Sequence, residues 1–515
     1  MLGAALRLFP RPFWPASVPG TDGAPDASRP YDPRMLEVQL KQAQMLAQKR
    51  KAADDRLLNA LTAALPSAAS TSGQDGVPIT TGMGFHKGRP VAAIVIFRYC
   101  LHSRAFEADR TSIFDRVVYA IGQQLERGQE DNNCLAYWLS NTATLLHMLD
   151  KRIKPASGNL NNARPGTVVA DVSAATRPVF DAMFGNRSGA SPGLAHAEAS
   201  IHGGGVGILT QVEAKYPALL FKQQLDAFVQ KIFPMIRDNV RKEISPMLNH
   251  CIHTPKTVGR TAARPASSAP AGDNGAGAAG SQQAASHKSW TGILHVFDSL
   301  LLVVKNNNMP KVLAQAGQIG MALFKQLFRF VNVQLFNQLL LRRECCSFSN
   351  GMYVKTGLEQ VAYWIDSTGA DYIADSWEEL KYLRQAVLFL VTSDKPKKSL
   401  AEITSELCPV LSIQQLYRLA TMYWDDKYGT KTVAPEVQDR LKKAMVESHS
   451  SASQAFLLDD DSSLPFKAAE LLANMNDKDL YGGVPVPELL ARGDGAATFS
   501  FLKDGLHVAD PTSGH

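Results

Sequence analysis

The chain has 515 residues, 45% hydrophobic and 20% charged, a balance that suits a large buried core and excludes a wholly disordered chain. Its formal net charge of +6 is small for this length, so no strongly basic face is expected to neutralise many phosphates, and nucleic acid is not the expected partner. Six cysteines, with no Cys-x-x-Cys and no Cys/His tetrad at zinc-finger spacing, exclude a disulfide scaffold and a zinc finger.

The head, residues 1–33, carries Arg7 and Arg11 and no acid before Asp22, a faint echo of a transit peptide. Pro10, Pro12, Pro15 and Pro19 break any amphipathic helix there, so a disordered head is expected. Residues 34–66 are strong helix formers. A seven-residue repeat runs through Leu36, Leu40, Ala43, Ala47, Arg50, Asp54, Leu57 and Leu61, but Arg50 and Asp54 sit where a coiled coil wants apolar knobs. The segment is either the frayed end of a coiled coil or a solitary helix, and any homodimer through it is weak. Residues 67–89 are rich in Gly, Ser, Thr and Pro and read as a linker. Within it "GMGFHKG", Gly82 to Gly88, resembles a phosphate loop, yet its last glycine is one residue too far and no strand precedes it.

From Pro90 the pattern is helical. Phe114, Val117, Val118, Ile121 and Leu125 recur at helical spacing; so do Leu135, Trp138, Leu139, Leu145, Leu146 and Leu149, and then Phe221, Leu225, Phe228, Ile232, Ile236 and Val240, with Pro234 as a kink. His147 and His295 lie within such stripes and read as core or boundary residues. Two low-complexity stretches, 155–207 and 254–287, are expected to be mobile loops. "GASPG", Gly189 to Gly193, matches a hydrolase elbow but lacks the strand that elbow requires. In the second stretch Arg260 precedes Thr261 and Arg264 stands three residues before Ser267, spacing that suits a basophilic kinase and makes Thr261 and Ser267 candidate regulatory phosphorylation sites.

Further on, "LLLRRECCSFSNG", Leu339 to Gly351, sets Cys345 beside Cys346; without partners at workable spacing the pair reads as packing at a helix end rather than a redox or metal site. Lys395 to Lys398, "KPKK", reads as a solvated turn. Two capping boxes, Ser399 with Glu402 and Ser412 with Gln415, mark helix starts. In "YWDDKYGT" aromatic residues alternate with charges at a helix end, making Trp424, Asp425, Asp426 and Tyr428 a candidate partner-binding surface. Asp459 to Asp461 lacks the further ligands a cation site requires, and residues 481–515 are expected to be a flexible tail. The longest apolar run, Val91 to Phe97, is far shorter than a membrane span. No strand alternation stands out. The class is all-α: an elongated multi-helix rod of two packed helical subdomains, their boundary near 254–310, within a body of 90–480.

Five runs, "RAFEADRTSIFDRVVYAI", "DNNCLAYWLSNTATLL", "VEAKYPALLFKQQLDAFVQKIFPMIRDNVRKEISPML", "FVNVQLFNQLLLRRECCSFSNGMYVKTGLEQVAYW" and "ELCPVLSIQQLYRLATMYWDDKYGT", together resemble the globular tail, or dilute domain, of myosins, most of all the plant-type class XI, a relative of class V. The resemblance extends from about Gly84 to Asn474. It implies a cargo-binding module with no catalytic role, cofactor or metal. Implied partners are adaptor or receptor proteins on vesicles and organelles, small GTPases among them, with actin reached only through a motor domain; the implied location is cytoplasmic, with vesicles or the actin cytoskeleton. No Gly-x-x-x-x-Gly-Lys-Ser/Thr loop occurs, and "IGQQLERG" only loosely echoes a light-chain-binding repeat. A motor-independent scaffold or membrane-tethering subunit built from similar helices is the alternative.

Overall fold

The structure, a computed structural model, describes residues 33–63, 83–106, 112–152, 216–253, 276–307, 317–368, 373–426, 428–448, 456–463 and 480–505. The candidate sites Thr261 and Ser267, the "GASPG" lookalike and the loop 155–207 lie outside them. The chain divides into two units, residues 1–52 and 53–515. Helix α1, Pro33–Thr62, runs through the division. In the first unit its described side chains are exposed, with a one-turn Lys41–Glu37 pair.

In the second unit, Leu57 and Leu61 of α1 are buried in the core. Asp54, the poor knob of the heptad reading, accepts from the Tyr99 hydroxyl and pairs with Arg116. An acid at a core-facing position thus has a tertiary partner rather than a coiled-coil mate. A hairpin too short to read as strand alternation follows, β1 (Phe85–His86) pairing antiparallel with β2 (Arg89–Pro90). Its turn residues Lys87 and Gly88 have φ of 53° and 77°, the left-handed pair that a two-residue hairpin turn needs.

Helix α2, Val91–His102, buries nearly its whole circumference. Its β-branched sequence is a poor intrinsic helix former, and burial overrides that weak propensity. Helix α3 (Ser112–Arg127) and α4 (Asn132–Arg152) continue the core, with His147 buried at 1% exposure. Helix α5, Tyr216–Ile252, continues through Pro234 and Pro246. It lies antiparallel to α4, because Lys222 pairs with Asp150 at one end and Asn239 bonds to Asn132 near the other.

Helix α6 (Ala276–Asn306) begins inside the stretch expected to be a loop to 287, leaving 254–275 outside the described residues. Helix α7 (Gly317–Leu341) runs parallel to α5 and in register with it: Arg237 bonds to Gln326 and Asn249 to Gln338, both pairs 89 residues apart. Helix α8, Phe348–Thr368, packs closely on α6 at Gly357, where a Cβ would stand 2.0 Å from Trp290 Nε1. Phe297, Phe324, Phe328 and Trp364 form a cluster of stacked and edge-on rings where α6, α7 and α8 meet. The two expected subdomains share one continuous core.

Helices α9 (Lys381–Val391), α10 (Ile413–Met422) and α11 (Pro435–Ser448) follow, with shorter helical turns among the described residues. The fold class is all-α. Both capping boxes form, at Ser399–Glu402 and Ser412–Gln415. Residues 481–505, expected to belong to a flexible tail, instead pack against α2, with Leu490, Phe499 and Leu502 fully buried. Polar, Gly-rich spacing hid an anchor that depends on α2 rather than on local pattern: Arg98 donates to the carbonyls of Tyr481, Gly482, Phe501, Leu502 and Asp504.

Candidate functional site

The double-cysteine run and the "YWDDKYGT" run meet in space. After α7 the chain makes a tight turn, Arg343–Cys345, that buries both thiols. Cys346 Sγ donates to Leu339 O at 3.1 Å. Burial pushes the thiols up, Cys345 to about 11 and Cys346 to about 12, so both stay protonated and inert at neutral pH.

Trp424 closes this turn from the other side: its backbone N–H donates to Cys346 O at 3.1 Å, and its indole Nε1 donates to Arg343 O at 3.0 Å. Asp425 Oδ1 accepts from the N–H groups of Tyr428 and Thr430 and shapes its own loop. Asp426 Oδ2 accepts from Ser349, both N–H and hydroxyl, and so caps the start of α8. The acidic pair therefore has structural work, the carboxylate of Asp426 sitting favourably at a helix N-terminus. Trp424 keeps 38% exposure and Tyr428 63%, with the Tyr428 ring 5.3 Å from that of Phe348.

Lys395 departs from expectation. It is fully buried, not part of a solvated turn: Nζ donates to Leu390 O at 3.2 Å and Thr392 O at 2.6 Å, and lies 4.1 Å from the Tyr423 ring centre. Burial lowers its pKa to about 8. The signal was Pro396, which holds the turn tightly against the end of α9.

From Phe348 outward, α8 presents an exposed ridge, Met352, Lys355, Glu359 and Tyr363, at helical spacing. Clefts flank it. One, of about 460 Å³, lies between α8 and α9 and the turn after Glu406; Leu358, Val387, Leu388 and Val410 line it, and Lys355, Glu359, Lys381 and Glu406 edge it. The other, of about 510 Å³, lies between α6 and α8 and includes Leu294, Asp298, Tyr363 and Trp364. An apolar floor with a rim of both charge signs is the form that takes a partner helix or peptide. The sequence run to Thr430 pointed to one end of this face; the clefts themselves have no linear signal, because their walls come from helices far apart in the chain.

Elsewhere Asp460 pairs with Arg241 and Asp461 with Arg329, and among the described residues no three His, Cys, Asp or Glu side chains are grouped to hold a metal. His295 is exposed. Among the described residues no helix is long and apolar enough to cross a membrane.

A model of the DIL domain matches residues 322–427, from α7 through the loop after α10. Over 426 residues the chain is 46% identical to Myosin-11 of Arabidopsis thaliana, an alignment that covers 82% of this chain and 26% of that protein. The chain thus spans about a quarter of the length of the myosins it matches. Its fold is similar to Myo2-GTD in complex with Mmr1, with a TM-score of 0.54 at 13% identity, over 89% of this chain and 99% of that one. It is also similar to the yeast myosin 5 cargo binding domain, with a TM-score of 0.55 at 12% identity, over 88% and 98%. At such identities these likenesses are of fold.

Proposed function

The chain belongs with the DIL-containing tails of plant class XI myosins, and from that premise we propose that it is a non-catalytic cargo-binding module that recruits adaptor or receptor proteins on vesicles and organelles. Small GTPases are among the partners it would serve, and actin is reached only through a motor domain outside this sequence. The observation that carries the proposal is the α8/α9 cleft, which lies largely in the DIL-matched span and pairs an apolar floor with a two-signed rim. Leu388 supports it further: a leucine left 44% exposed at the cleft offers an anchor point for a partner's side chain.

Affinity capture from cells, with the tagged full chain against Leu388→Asp and Val410→Asp, tests the proposal. Wild type is expected to retain organelle-bound proteins that both variants lose, the variants keeping the wild-type far-UV circular dichroism and melting temperature. Equal recovery by all three would remove the cleft. Recovery of a tethering complex and of no motor heavy chain would favour the motor-independent scaffold.

A further inference from the structure

Residues 456–463, "FLLDDDSS", have no regular secondary structure yet are held by side chains of three helices. Asn337 on α7 grips Leu458 twice: its Nδ2 donates to Leu458 O at 2.9 Å and its Oδ1 accepts from Leu458 N at 2.9 Å. Gln415 on α10 donates to Phe456 O at 2.9 Å, Gln326 on α7 to Ser463 O at 2.6 Å, and Arg237 on α5 to Ser462 O at 2.7 Å. These contacts read main chain only and are blind to residue identity. Identity is read at few positions. Arg241 makes a forked pair with Asp460 at 3.0 and 3.2 Å, Arg329 approaches Asp461 at 3.5 Å, and the Arg418 guanidinium lies 5.3 Å from the Phe456 ring centre.

The spacing fits an extended strap lying antiparallel to α7. Gln326 and Asn337 are separated by a helical rise of about 16 Å. Their main-chain partners, Ser463 and Leu458, are separated by an extended span of about 16 Å. Helix geometry and strand geometry therefore match along the groove. The strap lies at the margin of the core: Phe456, Leu457 and Leu458 are half-buried against it and 459–463 are exposed. Segments with few buried apolar contacts and peripheral hydrogen bonds open at low free energy.

We propose that the groove formed by α5, α7 and α10 is a peptide-docking site, distinct from the α8/α9 cleft, which the strap occupies in cis. It would take from a partner protein an extended peptide with an aromatic or aliphatic triplet followed by acidic residues. Main-chain readout supplies general affinity, as in strand-type peptide recognition, while Arg241 and Arg329 select the acids. The strap is an intramolecular competitor, so apparent affinity is scaled down by the fraction of molecules in which it is displaced.

The test uses a fluorescein-labelled peptide of residues 454–463 and the full chain. One form is wild type; a second carries Phe456→Ser, Asp460→Ser and Asp461→Ser to weaken the strap; a third adds Asn337→Ala to these. The second is expected to bind the peptide at least tenfold more tightly than wild type, the third at least tenfold more weakly than the second, and a peptide with its acids changed to lysine not at all. Absence of binding to a cooperatively folded second form, or equal binding by the third, overturns the proposal. Loss of cooperative unfolding in the second form also overturns it, since the strap would then be part of the core. In wild type, hydrogen exchange at Leu458 should exceed that of central α7 amides by at least a hundredfold; equal rates would refute exchangeability.

Discussion

Two segments near the C-terminal end of the described chain, 456–463 and 480–505, lie across the long helices, and they are held in opposite ways. Residues 480–505 converge on one buried cation: Arg98, at 2% exposure, satisfies five main-chain carbonyls while Phe499 stacks on Tyr99 and Phe501 on His102. The 456–463 strap is held instead by separate side chains, its Asp460 and Asp461 paired with Arg241 and Arg329. In the first case the cation is buried and the carbonyls close over it, so the segment cannot leave without stranding Arg98. In the second, each contact can be exchanged for water. Where a segment's polar demands are met decides how firmly it is held.

The largest expected effect breaks the first anchor. Arg98→Met keeps much of the apolar stem but leaves the carbonyls without their donor, and should cost on the order of 3 kcal/mol, read as a lower urea midpoint together with faster hydrogen exchange across 480–505. If exchange rose only in that segment while the midpoint held, the segment would be a second strap. Asn337→Ala is the counterpart. Two hydrogen bonds to Leu458 go, and an effect of about 1–2 kcal/mol is expected, confined to exchange at 456–463. A global loss of stability would place the strap in the core.

Helical periodicity made the fold class legible, since the stripes from Phe114 to Leu149 and from Phe221 to Val240 are long and regular. So did the two capping boxes, whose partners lie three residues apart. Other helix ends are capped from a distance. Asn141 on α4 accepts from Ala93 at the start of α2, Asn332 on α7 from Leu383 at the start of α9, and Asp426 from Ser349 at the start of α8. Helix C-termini follow suit, with Asn350 donating to Ile252 O and Arg418 to Leu340 O. Such residues look like chance polar interruptions in sequence, because only the fold brings donor to acceptor. Of the candidate partner surface, Trp424 and Tyr428 lie beside the chain that leads into α8, outside the residues that line the clefts, whereas Asp425 and Asp426, read for their charge, serve as turn and cap.

Lys395 sharpens the comparison as a second buried cation held by carbonyls, but one that can release its proton. Its folded pKa of about 8 lies below the ordinary 10.5, so between these values the unfolded chain binds more protons and stability rises with pH. Relative to Lys395→Met, the wild type should gain stability from pH 7.5 to pH 10, measured as the difference in urea midpoints. The neutral amine still donates to Leu390 O and Thr392 O, so lost hydrogen bonds do not offset the gain. A difference that is flat with pH would mean that the ammonium is fully compensated by the carbonyls and the Tyr423 ring.

The smallest effect belongs to the strap's forked ion pair, Arg241 with Asp460, whose side chains are 11% and 28% exposed. Single substitutions mislead, because Arg241→Gln also removes the guanidinium from over the Phe330 ring, 4.8 Å away. A double-mutant cycle with Asp460→Asn cancels that loss and isolates the pair. For a pair at this depth the expected coupling is about 1 kcal/mol at low salt. It should fall by more than half in 1 M NaCl, where the screening length shrinks to about 3 Å. Arg98 should depend on salt less, since the groups it donates to are neutral carbonyls, with Arg89 and Asp504 the charges that act on it, and the cost of Arg98→Met should change less between the two salt concentrations. Salt therefore separates the two segments more cleanly than magnitude does. A coupling between Arg241 and Asp460 that stayed constant to 1 M NaCl would show the pair to be desolvated, and would move the strap to the core side of the comparison.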